Sequence, residues 1–178
     1  MTTTPRPERP AGDDGSLRVR PLTPSDLPSF LDLITALAEY EHLPPPDAAA
    51  RERLIRDAQA KPPRFHTLVA ERRGRLVGYA VFFATYSTFL AKPTLYIEDL
   101  FGLPSERRTG VGRALVRALV REAIRWECGR IEWQVLTWNE PAIAFYESLG
   151  ARRLDEWRTY RLTADQFAPL AFPVGLTK

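Results

Sequence analysis

Residues 107–112 read Arg-Arg-Thr-Gly-Val-Gly, and a periodic apolar segment follows at once. The first turn of a helix holds amides with no intrahelical acceptor, and they carry partial positive charge. Glycine lets an anion approach them without a Cβ in the way. Gly110 and Gly112, with Arg107, Arg108 and Arg113 at the same end, are therefore a candidate phosphate site; the alternative is a tight turn that happens to be basic. The segment is not a Walker loop, because no Gly-Lys-Ser/Thr follows, and not G-x-G-x-x-G, because Ala114 and Leu115 take the later positions. Its context favours the anion: the loop follows a strand pattern and opens a helix, where added cations weaken the helix unless an anion offsets them. Arg117, Arg121 and Arg125 read as a solvated face, with Glu122 and Glu127 as partial partners.

Two further places could do chemistry. Glu98 and Asp99 are adjacent inside the apolar stretch Thr94–Leu103, which is unusual for a strand. Strand geometry sends their side chains to opposite faces, and the alternative to a chemical role is pairing with a nearby arginine. Tyr146 shares a helix face with Ala142 and Leu149, which turns its ring inward. A buried tyrosine hydroxyl needs a partner; a backbone carbonyl would serve in a purely structural role.

Other chemistries find little support. His42 and His66 are far apart and no Cys pair accompanies them, which speaks against structural zinc. No G-x-S-x-G elbow is present. Cys128 is the single cysteine; it reads as packing, and its solitude fits a reducing, cytoplasmic setting. A net charge of +3 permits a polyanionic ligand without demanding nucleic acid. No apolar run approaches the ~20 residues that span a bilayer.

The elements that must position these residues follow from pattern. The 178 residues, 44% hydrophobic, suit one compact domain. Residues 1–16 read as a disordered tail and residues 17–178 as a single domain. Leu17, Val19 and Leu22 alternate with Arg18 and Arg20, which reads as a first strand ending at Pro21. A helix follows from the Thr23–Asp26 start and is stopped by Pro44–Pro46, and a more polar helix covers 47–60. Strands are expected over 65–71 and 76–86, joined by a turn at Gly74, and over 94–103. A long helix spans 110–127, with Val111, Leu115, Val116, Leu119, Val120, Ala123 and Ile124 facing the sheet. A strand at 130–137, a helix at 139–149 closed by Gly150, and a last strand at 156–162 complete the order. The pattern is an α/β or α+β domain around a mixed sheet.

The sequence here resembles the GNAT N-acetyltransferases. Their acetyl-CoA loop, Arg/Gln-x-x-Gly-x-Gly/Ala, is matched by Arg107, Gly110 and Gly112, and a second block by Asn139, Ala142, Phe145, Tyr146 and Gly150. The resemblance covers roughly residues 17–162. It is nearest the diamine (spermidine/spermine) and thialysine acetyltransferase group, through 37–43, 95–101 and 137–146. It implies a mostly antiparallel mixed sheet flanked by helices, with a V-shaped opening between two parallel strands, 94–103 and 130–137. Acetyl-CoA would be the co-substrate, with pantetheine against the backbone of Leu100, Phe101 and Gly102. Its pyrophosphate would lie on the amides of Arg108, Thr109, Gly110, Val111, Gly112 and Arg113, with Asn139 and Ala142 also contributing.

The resemblance further implies acetyl transfer to a small-molecule amine. Tyr146 would protonate the departing thiolate, and Glu98 would act as base, directly or through a water, or as amine anchor. Asp99 would be a weaker substrate contact, and the Leu100 amide the donor to the carbonyl oxygen. Tyr40 and Glu41 match positions that line the amine channel, and Glu132 could add an acid from the neighbouring strand. A homodimer is implied, with no metal and neither nucleic acid nor membrane as partner. Three departures stand out. Arg108 replaces a frequent glycine and would be strained at positive φ. Ser87 and Phe89 stand where polyamine-acetylating members carry an acid and a tryptophan, and that loop is one residue longer. These changes bring a lysine-like amino acid or short diamine level with a long polyamine. The alternatives are a protein, peptide or antibiotic amine as acceptor, or a non-catalytic acyl-CoA-binding module.

Overall fold

The computed structural model describes residues 15–172, so most of the expected tail lies outside the described residues. The chain divides after Gln134 into two compact units, each treated by itself. The first unit carries β1 (Arg18–Pro21), α1 (Leu27–Tyr40), α2 (Ala48–Ala58), β2 (His66–Arg72), β3 (Arg75–Ser87), β4 (Lys92–Gly102), α3 (Val111–Arg125) and β5 (Arg130–Trp133). Its sheet runs β1-β2-β3-β4-β5; the first three pairings are antiparallel, and β4 with β5 is parallel. The expected mixed, mostly antiparallel sheet with two neighbouring parallel strands is what forms.

Each face of the sheet buries its own core. On one side α3 lays Val111, Leu115, Ala118, Leu119 and Ala123 over Leu68, Ala70, Val77, Ala80, Phe82, Leu95 and Ile97. On the other, Leu27, Phe30 and Leu33 of α1 cover Val69, Tyr79, Val81 and Phe101. Val120 and Ile124, expected against the sheet, are exposed. At 100° per residue the buried row advances through 111, 115, 118–119 and 123, and positions 120 and 124 swing away from it.

The start of α1 is built by Thr23 and Asp26, which form a capping box. Arg20 from β1 binds Asp26 at 2.6 Å and Glu71 of β2 at 2.7 Å. Arg20, helped by the Thr23 hydrogen bonds, holds the Asp26 carboxyl well below the ordinary carboxylate range. The β2–β3 turn is Arg73-Gly74, both at positive φ, between the paired Arg72 and Arg75.

The second unit contains α4 (Glu140–Glu147) and a short α5 (Phe167–Ala171), which the sequence reading did not foresee. The strand expected at 156–162 does not form, and Trp157, Tyr160 and Leu162 are exposed. Alternation supplies only the pattern of a strand; the element exists when a neighbouring edge completes its ladder, and none does so here among the described residues. β5 likewise stops at Trp133 rather than Thr137.

Candidate active site

The acids of β4 stand at a bulge. Val81 of β3 opposes Asp99 and Phe82 opposes Ile97, which leaves Glu98 as the extra residue. The faces record the slip. Leu95, Ile97 and Leu100 belong to the α3-side core, a step of three where two would be regular, whereas Phe101 belongs to the α1 side. Asp99, two residues before Phe101, meets Tyr79 of that same α1-side core. Glu98 follows Ile97 onto the opposite face from it, and its charge acts on both Tyr96 and Asp99. The two acids therefore share one face, which corrects the opposite faces expected of a regular strand.

Their environments differ. Glu98 is exposed. Asp99 accepts a hydrogen bond from the Tyr79 hydroxyl at 3.3 Å. Burial, then the charges of Glu98 and Glu41, push the Asp99 carboxyl up to about 6, against the lowering effect of Tyr79. The Tyr79 phenol is pushed upward by burial and by Asp99. Glu41, half-buried at the end of α1, is raised by burial. Beside it, the Arg107 guanidinium lies 4.7 Å above the Tyr40 ring. Glu132 on β5 is paired with Arg130 of its own strand at 3.0 Å, so part of its charge is already answered. Tyr79 was missed in the sequence because it reads as one more core aromatic.

The β4–β5 ladder ends at Ile97 and Trp133. Leu100, Phe101 and Gly102 pair with Ala80, Tyr79 and Gly78 on the β3 side and lie beyond that ladder on the other.

The loop after β4 is shaped by Arg72, another residue the sequence reading passed over. From the end of β2 its guanidinium binds the Glu106 carboxylate, the Thr109 hydroxyl at 3.0 Å and the Thr109 carbonyl at 3.1 Å. The Thr109 hydroxyl itself donates to the Glu106 carbonyl at 2.7 Å. Arg108 sits at φ 60 and Gly110, the N-cap of α3, at φ 94. The strain foreseen at Arg108 is therefore present, at a cost of about 1–2 kcal/mol. The first helical bond runs from Ala114 N to Gly110 O at 2.9 Å. The amides of Val111, Gly112 and Arg113 precede it and have no intrahelical acceptor. A Cβ built at Gly110 would meet nothing within 4 Å. Bare amides, open space and the exposed Arg107, Arg108 and Arg113 together fit a pyrophosphate. The helix comes this close to the sheet because of Gly78, where an added Cβ would lie 2.6 Å from the Phe101 carbonyl and 2.8 Å from Val111 Cγ1.

In the second unit Asn139 caps α4, its side chain accepting from the Ala142 amide at 3.3 Å. The helix closes with Ala151 N on Tyr146 O at 3.2 Å and Gly150 N on Glu147 O at 2.9 Å, with Gly150 at φ 86. That is a Schellman motif, as the glycine led one to expect. Tyr146 is half-buried with its ring 5.4 Å from that of Phe145, and Leu149 lies past the helix end. The two polyamine-position departures lie at the β3–β4 turn: Ser87 accepts from the Leu90 amide at 3.3 Å, and Phe89 is fully exposed. Among the described residues no group of three or more His, Cys, Asp and Glu converges as metal ligands.

Comparison with known proteins is consistent with this geometry. Residues 28–151 match the Acetyltransferase (GNAT) family. The chain is 31% identical over 167 residues to the thialysine N-epsilon-acetyltransferase of Sus scrofa, covering 88% of this chain and 98% of that protein. It is 46% identical over 90 residues to L-ornithine N5-acetyltransferase of Arabidopsis thaliana, a match spanning 51% of this chain and only 40% of the plant protein. Among solved structures, an integron cassette protein from the mobile metagenome of V. cholerae superposes with a TM-score of 0.74 at 22% identity, covering 88% of this chain and 98% of that one. An acetyltransferase of Trypanosoma brucei gives a TM-score of 0.63 at 29% identity, covering 83% and 99%. The chain belongs to the GNAT acetyltransferase family and is an N-acetyltransferase.

Proposed function

We propose that this enzyme acetylates the primary amine of a small molecule, a lysine-like amino acid or a short diamine, with acetyl-CoA as co-substrate. The observation that carries the reading is the pair of acids at the β4 bulge, on the strand that runs directly into the amide loop. A cationic amine needs a carboxylate to hold it and a base to discharge it. The names of the relatives, thialysine and L-ornithine acetyltransferases, support an amino acid with a side-chain amine.

Acetyl-CoA supplies the acyl group as a thioester: a C–N bond to the amine forms and the C–S bond breaks. The amides of Arg108–Arg113 and the surrounding arginines hold the pyrophosphate, with Asn139 and Ala142 assigned to the same ligand. The backbone of Leu100, Phe101 and Gly102 aligns the pantetheine arm, and the Leu100 amide donates to the carbonyl oxygen as it gains charge. An amine with a pKa of ~10.4 is protonated at neutral pH and must lose a proton before attack. Glu98 and Asp99 provide that acidic face, and Glu41, Tyr40 and Glu132 extend it toward the rest of the substrate. Tyr146 donates the proton that the leaving thiolate takes. The reading includes a homodimer in the cytoplasm, supported by family resemblance and the single cysteine. It assigns no metal, nucleic-acid or membrane partner. Among the described residues no helix is long and apolar enough to cross a membrane.

The test is thiol release from acetyl-CoA with a panel of amines: thialysine, ornithine, lysine, putrescine, spermidine, an aminoglycoside and a short peptide. Release with the free amino acids or the short diamine is expected. Release confined to the peptide or the aminoglycoside would overturn the substrate class, and no release with any amine would overturn the reaction. Tyr146→Phe should lower turnover by roughly 10²–10⁴ while acetyl-CoA still binds. Turnover at the wild-type rate would remove Tyr146 from its role.

A further inference from the structure

We infer that Arg72 is a positioning residue for the acyl donor: from the end of β2 it fixes the turn around Arg108 in the shape that presents the loop amides to the pyrophosphate, without touching the phosphate itself. This rests on the acetyltransferase reading, because it assigns a residue to the binding of acetyl-CoA.

The loop between β4 and α3 needs a hold from outside. Its first residue is tied to the sheet, where Leu103 N donates to Val77 O at 2.9 Å. Its far end is tied through Val111, which packs into the α3-side core. Between these ends Pro104, Ser105, Arg107, Arg108, Thr109 and Gly110 are exposed. The turn is an unfavourable one, with Arg108 at φ 60. A residue with a Cβ leaves that region unless its surroundings over-determine it. The loop's own backbone bonds are long here, Arg107 N to Pro104 O at 3.2 Å and Thr109 N to Glu106 O at 3.4 Å, near the limit at which such bonds weaken.

Arg72 supplies the hold. The hairpin turn at Arg73-Gly74 reverses the chain directly after it and leaves it paired with Arg75 at the end of the ladder. Its Nη1 donates to the Glu106 carboxylate and to the Thr109 hydroxyl at 3.0 Å, and its Nη2 donates to the Thr109 carbonyl at 3.1 Å. The Thr109 hydroxyl passes the grip on by donating to the Glu106 carbonyl at 2.7 Å. One planar group therefore holds residues on both sides of Arg108. The Arg72 and Glu106 side chains are only 19% and 22% exposed, so salt screens this pair less than one in open solvent.

The direction of a carbonyl fixes that of the next amide. In a trans peptide the C=O and N–H point opposite ways. With the Thr109 carbonyl turned to Arg72, the Gly110 N–H is turned away from it, and that amide belongs to the set assigned to the pyrophosphate. Both terminal nitrogens of Arg72 meanwhile serve oxygens of the loop, and Glu106 answers its charge. A guanidinium so engaged acts on the phosphate through the backbone. A lysine here would keep the charge but not the fork that reaches a carboxylate, a hydroxyl and a carbonyl together.

The experiment measures kcat and KM with acetyl-CoA and with S-acetylpantetheine, the same thioester without the pyrophosphate and nucleotide, using the best amine of the panel. Wild type, Arg72→Ala, Arg72→Lys, Thr109→Val and the double variant Arg72→Ala/Thr109→Val are compared, with Tm for each. Arg72→Ala should raise acetyl-CoA KM about threefold to tenfold, the equivalent of one hydrogen bond, with kcat and amine KM near wild type. Its kcat/KM with S-acetylpantetheine should stay at the wild-type value. Arg72→Lys should lose most of the same affinity. The double variant should be no worse than Arg72→Ala, because both changes open one clasp. An unchanged acetyl-CoA KM in Arg72→Ala would remove Arg72 from the role, and an equal loss with both thioesters would reduce it to a residue of the scaffold. A near-wild-type KM in Arg72→Lys, or additive effects in the double variant, would make it a direct charge on the phosphate and overturn the inference. Should the Arg72 variants fail to fold, Thr109→Val decides by the same comparison of thioesters. Failure of wild type to bind acetyl-CoA would instead overturn the acetyltransferase reading on which the inference rests.

Discussion

The amide loop and the β4 bulge are joined by a few residues of chain, yet they are built in opposite ways. The loop is exposed: Arg107, Arg108, Thr109, Gly110 and Arg113 all face solvent. Its donors come from its own backbone at the start of a helix, in a turn braced by Arg72 from the end of β2. The bulge has a buried side, and its properties come from other elements: Tyr79 from β3, Glu41 from α1, and the register with Val81 and Phe82. Holding a polyanion can be done in water with several weak donors, because charge-assisted bonds survive partial exposure. A carboxylate shifted up to about 6, as Asp99 is, takes burial and neighbouring like charge. The two regions therefore differ in the origin of their properties: chain geometry within a few residues for the loop, burial and register for the bulge.

Variants can break or sharpen that division. Among variants around the loop, the largest expected effect is at Gly112→Asp, which places a carboxylate among the bare amides. Acetyl-CoA KM should rise by about tenfold or more, from the loss of one charge-assisted hydrogen bond of ~1.5–3 kcal/mol. The pH profile of kcat/KM should stay in place, and a shifted acid limb would show that loop and bulge are one electrostatic unit. Next is Gly78→Ala, which pushes a methyl group against the Phe101 carbonyl and Val111. Because it lies where strand and helix start meet, it should disturb both regions, costing about 1–3 kcal/mol. At about 2–4 °C per kcal/mol for a chain of this size, calorimetry reads this as a fall in Tm. An unchanged Tm would mean that the helix start yields freely. The smallest is Arg108→Gly, which relieves the positive φ and should raise stability by about 1 kcal/mol. A rise in acetyl-CoA KM in the same variant would assign the arginine side chain, rather than its amide, to the phosphate.

The legibility of the two regions differs for the same reason. Gly110, Gly112 and their arginines were readable because a helix N-terminus is local: its donors follow from chain geometry within a few residues. Gly150 was readable likewise, and so was the Thr23–Asp26 helix start. The faces of Glu98 and Asp99 were not readable, because the bulge arises from register with β3 and no local rule encodes it. Tyr79 and Arg72 went unnoticed. A tyrosine in an apolar strand and an arginine before a turn carry no signal until Asp99 and Thr109 come within hydrogen-bond reach. The strand expected at 156–162 shows the converse, a good pattern without the edge that would make it an element.

By itself the sequence determined the family, the order of the elements of the first unit, the sheet-facing row of α3 in outline, and the glycine start of α3. Each depends on periodicity, caps or a glycine acting over short range. Tertiary structure alone decided that the two acids share a face, that one is half-buried against a tyrosine while the other is exposed, and that the loop is clasped from the end of β2. These are properties of register and burial, set by residues far apart in the chain, and burial first of all is what pushes the Asp99 carboxyl up to about 6.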